Sequence, residues 1–179
     1  MIVTVALLIG ISACSNKNNL SQKEMEESLV GLWYEEFAYE DVTEDGTPFS
    51  HALIAVEAKD DHTGYVALAV FDDEFNEPIE VYGGPTGAPF TWQVSPDGQV
   101  TLTDPKSGET IVSGSTRAEG NNSKIVAIDQ IKMNCGQDGV TFSSASHNGT
   151  LSKAGDDKGD MIQDWMAKST LPRACITDS

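Results

Sequence analysis

Positive charge is scarce in this chain of 179 residues. Lysine and arginine together number 11, against 28 aspartates and glutamates, and the formal net charge at pH 7 is -17. Nucleic acids and anionic lipid surfaces are bound chiefly through clusters of lysine and arginine. The composition therefore argues against nucleic-acid binding and against electrostatic docking on an anionic membrane, and it favours solubility and cationic partners.

Recognisable catalytic and cofactor-binding motifs are also missing. The sequence contains no G-x-S-x-G, H-E-x-x-H or C-x-x-C and no phosphate-binding glycine loop. The acidic segments 60–62 and 72–77 lack calcium-loop spacing and are interpreted as solvated turns. We therefore expect a protein that is not an enzyme and that uses no metal ion or cofactor. The alternative, an enzyme, requires that histidines among His51, His62 and His147 converge with acidic groups in one cleft.

Long apolar runs are absent, except for one at the N-terminus. Residues Ile2–Ile11 are too few to span a bilayer, which takes about 20 residues, but they fit the apolar core of a signal peptide. The run ends in Ile11-Ser12-Ala13-Cys14, which resembles the lipobox of bacterial lipoproteins. No lysine or arginine precedes the run, which departs from the signal-peptide pattern. The alternative is a buried apolar strand in which Cys14 is structural.

The lipobox resemblance implies a membrane-anchored protein. Residues 1–13 would be removed as a lipoprotein signal peptide, Cys14 would carry acyl chains, and residues 14–21 would form a polar tether. The residue after Cys14 is Ser15 rather than the aspartate associated with inner-membrane retention. The implied location is therefore the cell envelope, on the outer membrane and facing the periplasm.

Cysteine is rare, and only two cysteines remain after Cys14 is assigned to lipid. Cys135 and Cys175 form an even set in an exported protein, which predicts a disulfide bond between them. On the loop-entropy model, such a bond contributes about 4 kcal/mol to stability. The alternative is two separate buried thiols.

Short strands separated by turns make up most of the chain, with a short helix before them and another after. The capping box Ser21-Gln22-Lys23-Glu24 begins the first helix, and Met161, Ile162, Trp165 and Met166 predict an amphipathic helix packed outside the sheet. Parallel strands need crossover helices, and the chain leaves no room for them, so the sheet is antiparallel, a sandwich or a barrel. The predicted strands are Trp33–Asp41, His51–Ala58, Tyr65–Phe71, Ile79–Tyr82, Phe90–Val94, Val100–Leu102, Thr110–Thr116, Lys124–Met133, Val140–Ala145 and Thr150–Lys153.

The segment Gly31-Leu32-Trp33, which follows the first helix, resembles the G-x-W opening of lipocalins. Together with the meander, the length and the late helix, it makes the mature chain similar to a Bacteroidetes-type lipoprotein with a lipocalin-like domain. The family's T-D-Y-type segment is not found. The resemblance implies an all-β, antiparallel meander barrel of about eight to ten strands, as one domain over residues 22–179, with a Trp closing one end and a cavity for an apolar ligand.

Four aromatic residues are candidates for the ligand site. Strand parity places Trp33, Phe37, Phe90 and Trp92 on inward faces, where apolar pockets are lined. The alternative for these residues is plain core packing. The segment Gly83–Gly87 is interpreted as a flexible loop.

The leading hypothesis is a lipid-anchored, non-catalytic envelope protein that binds a small hydrophobic or amphipathic ligand in its barrel. The alternative is a protein-interaction or envelope-structural lipoprotein without a small-molecule ligand, which uses an acidic face or an exposed sheet edge. The sequence names no protein partner.

Overall fold

The computed structural model describes residues 20–43, 45–72, 77–118, 125–133 and 149–168. Cys14, Cys135, Cys175 and His147 lie outside these residues, as does the predicted strand Val140–Ala145. The signal-peptide, lipidation and disulfide assignments therefore remain predictions.

Antiparallel strands form most of the described structure. The strands are β1 Gly31–Val42, β2 Pro48–Ala58, β3 Thr63–Phe71, β4 Glu80–Gly83, β5 Pro89–Val94, β6 Gln99–Thr103, β7 Thr110–Ala118, β8 Ile125–Met133 and β9 Leu151–Lys153. The helices are α1 Gln22–Leu29, α2 Gly84–Gly87 and α3 Asp156–Ala167. Each predicted strand within the described residues is present, and no end is displaced by more than three residues.

The sheet closes on itself. β1 pairs with β2 along one edge and with β9 along the other, and β9 pairs in turn with β8. β3 pairs with β4 in its second half and with β5 in its first half, so these two short strands share one edge. The result is a closed, eight-stranded antiparallel barrel, which confirms the predicted fold and is consistent with a lipocalin-like barrel.

The barrel has two distinct ends. The lower end contains the start of β1 at Gly31 and the end of β2 at Ala58, and α1 leads directly into it. The upper end contains the β1–β2 turn after Val42 and the start of β4 at Glu80.

β3 is apolar on both faces because both faces are covered. Val66, Leu68 and Val70 join the core inside the barrel, whereas Tyr65, Ala67, Ala69 and Phe71 join a second cluster outside it. The outer cluster is completed by Ile162, Trp165 and Met166 of α3, and the rings of Phe71 and Trp165 meet edge to face with centroids 5.3 Å apart. The prediction that the amphipathic helix packs outside the sheet is confirmed.

The sequence predicts a flexible loop at Gly83–Gly87, and this prediction is wrong. Gly84–Gly87 forms one helical turn, in which the Ala88 N–H donates to the Gly84 carbonyl at 3.1 Å. Gly83 and Gly84 supply the positive φ angles that lead into the turn, at 80° and 74°. Pro85 follows in the first turn, where its fixed φ suits a helix. The glycine and proline residues therefore build a short ordered connection between β4 and β5.

Candidate functional site

The lower end of the barrel is sealed by α1. The Glu24 N–H donates to Ser21 Oγ at 3.3 Å and the Ser21 N–H donates to Glu24 Oε2 at 2.8 Å, which confirms the predicted capping box. The cap fixes where the helix begins, and Met25 and Leu29 then lie buried in the interior cluster of the barrel. The Trp33 indole N–H donates to the Leu29 carbonyl at 2.7 Å, and this joins the helix to the barrel wall.

Lysine covers the outer side of this seal. Lys153 Nζ donates to the Ser28 carbonyl at 2.8 Å and lies 5.6 Å from the centroid of the Trp33 ring. The contact links β9, the strand that closes the barrel, with the end of α1. The lower end is thus held by polar contacts as well as by packing.

The lower half of the interior is filled by aromatic side chains. The exposed fractions of Trp33, Phe90 and Trp92 are 0%, 1% and 4%. A cavity large enough to hold even one water molecule would leave part of its lining accessible. These three candidate residues therefore pack as core, and a ligand would reach them only if neighbouring side chains moved.

A glycine explains how the ring of Phe90 fits against β3. A Cβ built on Gly64 would lie 2.4 Å from Phe90 Cζ and 2.1 Å from the Glu57 carbonyl oxygen. Any side chain at this position would therefore displace the ring or the backbone. The Trp92 indole N–H donates to the Lys59 carbonyl at 2.9 Å, which fixes the neighbouring ring as well.

The upper half of the interior differs in part. Phe49, Ala52, Val70 and Tyr82 are buried there, but three other apolar residues retain accessible surface. Phe37, Tyr39 and Ile79 pack against the interior cluster but are only partly buried. The ring of Tyr39 lies between those of Phe37 and Phe49, with centroid distances of 6.5 Å and 5.9 Å. Of the four predicted ligand-binding residues, Phe37 alone belongs to this accessible region, which we call the upper aromatic surface (Phe37, Tyr39 and Ile79).

Two carboxylates lie at the upper end of the barrel, each bonded to a tyrosine. The Tyr39 hydroxyl donates to Asp41 Oδ2 at 3.3 Å, and the buried Tyr82 hydroxyl donates to Glu80 Oε2. Asp41 and Glu80 are themselves partly buried. Burial raises the pKa of the Tyr39 hydroxyl, and the charge and hydrogen bond of Asp41 raise this pKa further.

Asp41, Glu80 and Tyr82 were not among the ligand-binding residues predicted from the sequence. A signal for Glu80 and Tyr82 exists, because both alternate with Val81, which packs against the outer cluster. Asp41 is harder to predict, since the register between β1 and β2 shifts between Ala38 and Asp41. Strand parity alone therefore does not assign the face of Asp41.

The two described histidines lie at opposite ends of the barrel. His51 is near the upper end, with Nδ1 at 2.9 Å from Ser50 Oγ and 3.1 Å from the Asp72 carbonyl oxygen. His62 is in the lower β2–β3 turn, where its ring lies 4.6 Å from that of Trp92. In the part of the chain that the structure describes, no group of three His, Cys, Asp or Glu side chains is placed to hold a metal ion.

The fold and its interior define a class: a closed antiparallel barrel with a helix-sealed lower end and aromatic surface at the upper end. No protein-family model, curated protein or solved structure matched the chain in the comparisons. Within the described ranges, none of the helices has the length and apolar character needed to cross a membrane.

Proposed function

We propose that this protein is a non-catalytic, lipid-anchored envelope protein that binds a small hydrophobic or amphipathic molecule in the upper half of its barrel. The observation that carries the proposal is the contrast inside the barrel. Trp33, Phe90 and Trp92 are fully packed, whereas Phe37 and Tyr39 keep accessible aromatic surface. Ligand sites are mostly apolar and aromatic with a few polar groups, and the upper end combines both.

The proposed anchor would set the orientation of the barrel. Leu20 packs against the interior cluster near α1, and it is only the sixth residue after Cys14. Such a segment reaches at most about 20 Å. A lipid on Cys14 would therefore hold the sealed lower end near the membrane and leave the upper end facing the aqueous compartment, taken here as the periplasm.

The anchor is tested by replacing the proposed lipid attachment site. Cys14→Ala should move the protein from the membrane fraction to the soluble fraction of the producing bacterium, because the acyl chains hold it on the membrane. Cys135→Ala is the matched control and should leave the protein with the membranes. Equal membrane retention of both variants would contradict lipidation at Cys14.

Ligand binding is tested with two adjacent residues that face opposite sides of the sheet. Phe37→Trp adds bulk to the upper aromatic surface, whereas Ala38→Trp adds it to the exposed outer face of the same strand. We expect the full chain, carrying Cys14→Ser to prevent acylation, to bind the apolar fluorophore N-phenyl-1-naphthylamine. Phe37→Trp should weaken the binding by about fivefold or more, and Ala38→Trp by less than about twofold.

A titration with no binding, or with equal weakening by both substitutions, would contradict the ligand site. That result would favour the second candidate, a protein-interaction lipoprotein. One observation supports this candidate specifically: Val42, at the upper rim, is 56% exposed, and the other large apolar side chains of the described residues are less exposed. Capture of an envelope protein that is lost on Val42→Ser would support it.

A further inference from the structure

We propose that the molecule bound at the upper end is an amphipathic cation, with an apolar body and an ammonium group. The inference rests on the proposed ligand site and adds the chemical class of its ligand. It is carried by two carboxylates of the upper end. Asp41 is bonded to Tyr39 of the upper aromatic surface, and Glu80 follows Ile79 of that surface along the chain.

Neither carboxylate has a cationic partner among the described residues. The ion pairs of the described chain are elsewhere: Lys23 with Glu27, Arg117 with Asp129, Lys158 with Glu36 and Lys168 with Asp164. Lys59 and Lys153 lie over the rings of Tyr65 and Trp33 at the lower end. A partly buried carboxylate interacts more strongly with a cation than an exposed one does, because less water screens the charge. Lys106 lies in the β6–β7 loop at the upper end, where its charge acts on Asp104. Asp41 and Glu80 therefore form no ion pair with a described lysine or arginine side chain.

The hydrogen bonds at this end leave acceptors available. The hydroxyls of Tyr39 and Tyr82 are already directed at Asp41 and Glu80. A carboxylate has about four lone-pair sites. Asp41 accepts from the Tyr39 hydroxyl and the Val42 N–H, and Glu80 accepts from the Tyr82 hydroxyl. Both carboxylates therefore have sites left for an incoming N–H group. An ammonium group has donors only, and it is complementary to such a surface. A carboxylate or phosphate head group would be repelled by it.

The aromatic rings favour the same ligand. A cation within about 6 Å of the face of a tyrosine or phenylalanine ring is attracted by the ring quadrupole. Phe37 and Tyr39 supply partly exposed rings, and the Tyr39 hydroxyl is bonded to Asp41. The formal net charge of -17 would also raise the concentration of cations near the protein. An apolar chain with a cationic head thus satisfies both the rings and the carboxylates.

The test compares three probes that share a decyl chain and differ in the head group: decylammonium, decanol and decanoate. Binding to the full chain carrying Cys14→Ser is measured by isothermal titration calorimetry at pH 7, where the amine is protonated and the acid is ionised. We expect decylammonium to bind about tenfold more tightly than decanol, because a hydrogen bond to a charged group contributes about 1.5 kcal/mol or more. Decanoate should bind most weakly.

Two charge-removing substitutions assign the preference to the named carboxylates. Glu80→Gln and Asp41→Asn keep an oxygen acceptor for Tyr82 and Tyr39, and each should reduce the preference for decylammonium over decanol at least about threefold. Glu109→Gln is the control, because it removes the same charge from an exposed position in the β6–β7 loop at the same end. It should leave the preference unchanged.

The outcomes separate this inference from the proposed function. Equal binding of decanol and decylammonium, or tighter binding of decanoate, would overturn the cationic class while leaving the ligand site in place. A preference reduced equally by all three substitutions would overturn the roles of Asp41 and Glu80. Failure of all three probes to bind would overturn both the inference and the ligand site.

Discussion

At the residue scale, Trp33 couples the lower-end helix to the barrel wall. Its side chain is completely buried, and its indole N–H is bonded to the Leu29 carbonyl. Trp33→Phe would leave that carbonyl without its donor and a void beside the smaller ring. We expect the free energy of unfolding, measured by urea denaturation, to fall by about 2–4 kcal/mol.

A matched control is available on the outer face of the sheet. Trp165→Phe removes the same atoms from a side chain that is 6% exposed and packs in the outer cluster. It should cost less than Trp33→Phe. Equal losses for the two variants would show that the Trp33–Leu29 hydrogen bond contributes little to the stability of the lower end.

Tyr65 makes the protein less stable as the pH becomes alkaline. Burial raises the pKa of its hydroxyl, and the hydrogen bond and charge of Glu57 raise this pKa further. The neutral hydroxyl therefore stabilises the fold fully below the unfolded-state pKa of about 10. That contribution is lost as the pH rises through the higher folded-state pKa.

The expected result is a free energy of unfolding that falls above about pH 10, with a shallower fall in Tyr65→Phe. Guanidinium denaturation at about pH 8 and about pH 11 measures both slopes. Identical slopes for the two proteins would show that Tyr65 does not contribute to the alkaline loss of stability.

Parity along the strands predicts which aromatic residues face inward, but not which of them stay accessible. Trp33, Phe37, Phe90 and Trp92 all belong to or pack against the interior cluster, as expected from alternation. Whether each is covered depends on residues far away in the sequence. α1 covers Trp33, and Gly64 makes room for Phe90, so the packed lower half cannot be read from local pattern.

At the element scale, α3 stabilises the outside of the barrel independently of its interior. Trp165 packs on Phe71 with two further α3 side chains around it. Trp165→Ala should lower the free energy of unfolding by about 3–5 kcal/mol, because a large buried ring leaves a cavity. Binding of decylammonium should change by less than about twofold, since the interior cluster is not altered.

Calorimetric titration and urea denaturation of the same variant check both parts. A large loss of affinity in a protein that remains folded would place the ligand near α3 rather than at the upper aromatic surface. Unchanged stability would contradict the packing of α3 on the sheet.

Most elements were predictable because each carries its own local signal. The capping box predicted the start of α1, and the turns predicted the strands of the described chain. α2 was missed because glycine and proline usually indicate a loop, whereas here Gly84 begins a helical turn and Pro85 follows in it. The bulge of β1 between Ala38 and Asp41 was also missed, since it arises from pairing with β2.

At the scale of the whole molecule, closure distinguishes a barrel from a sandwich. It depends on β9, whose three residues pair with β1 at Trp33 and Tyr34 and with β8 at Ala127 and Ile128. β9 and its partner β1 are more than 100 residues apart along the chain. Local alternation carries no information about such a pairing, so the strand pattern left sandwich and barrel open, and the barrel was predicted only from the resemblance to lipocalins.

The closed barrel has two ends that differ in structure. One end is sealed by α1 and would lie near the membrane if Cys14 is acylated, and the other carries the upper aromatic surface with Asp41 and Glu80. A ligand would then enter from the aqueous side rather than directly from the bilayer. The central claim is that this upper end holds a small molecule.

Native mass spectrometry tests that claim most directly. The full chain carrying Cys14→Ser is purified without detergent from an exporting bacterium and measured before and after incubation with decylammonium. The account predicts a discrete additional mass that is released on denaturation, either a molecule acquired in the cell or the added probe. A protein that shows only its own mass under both conditions would contradict the claim that the barrel binds a small molecule.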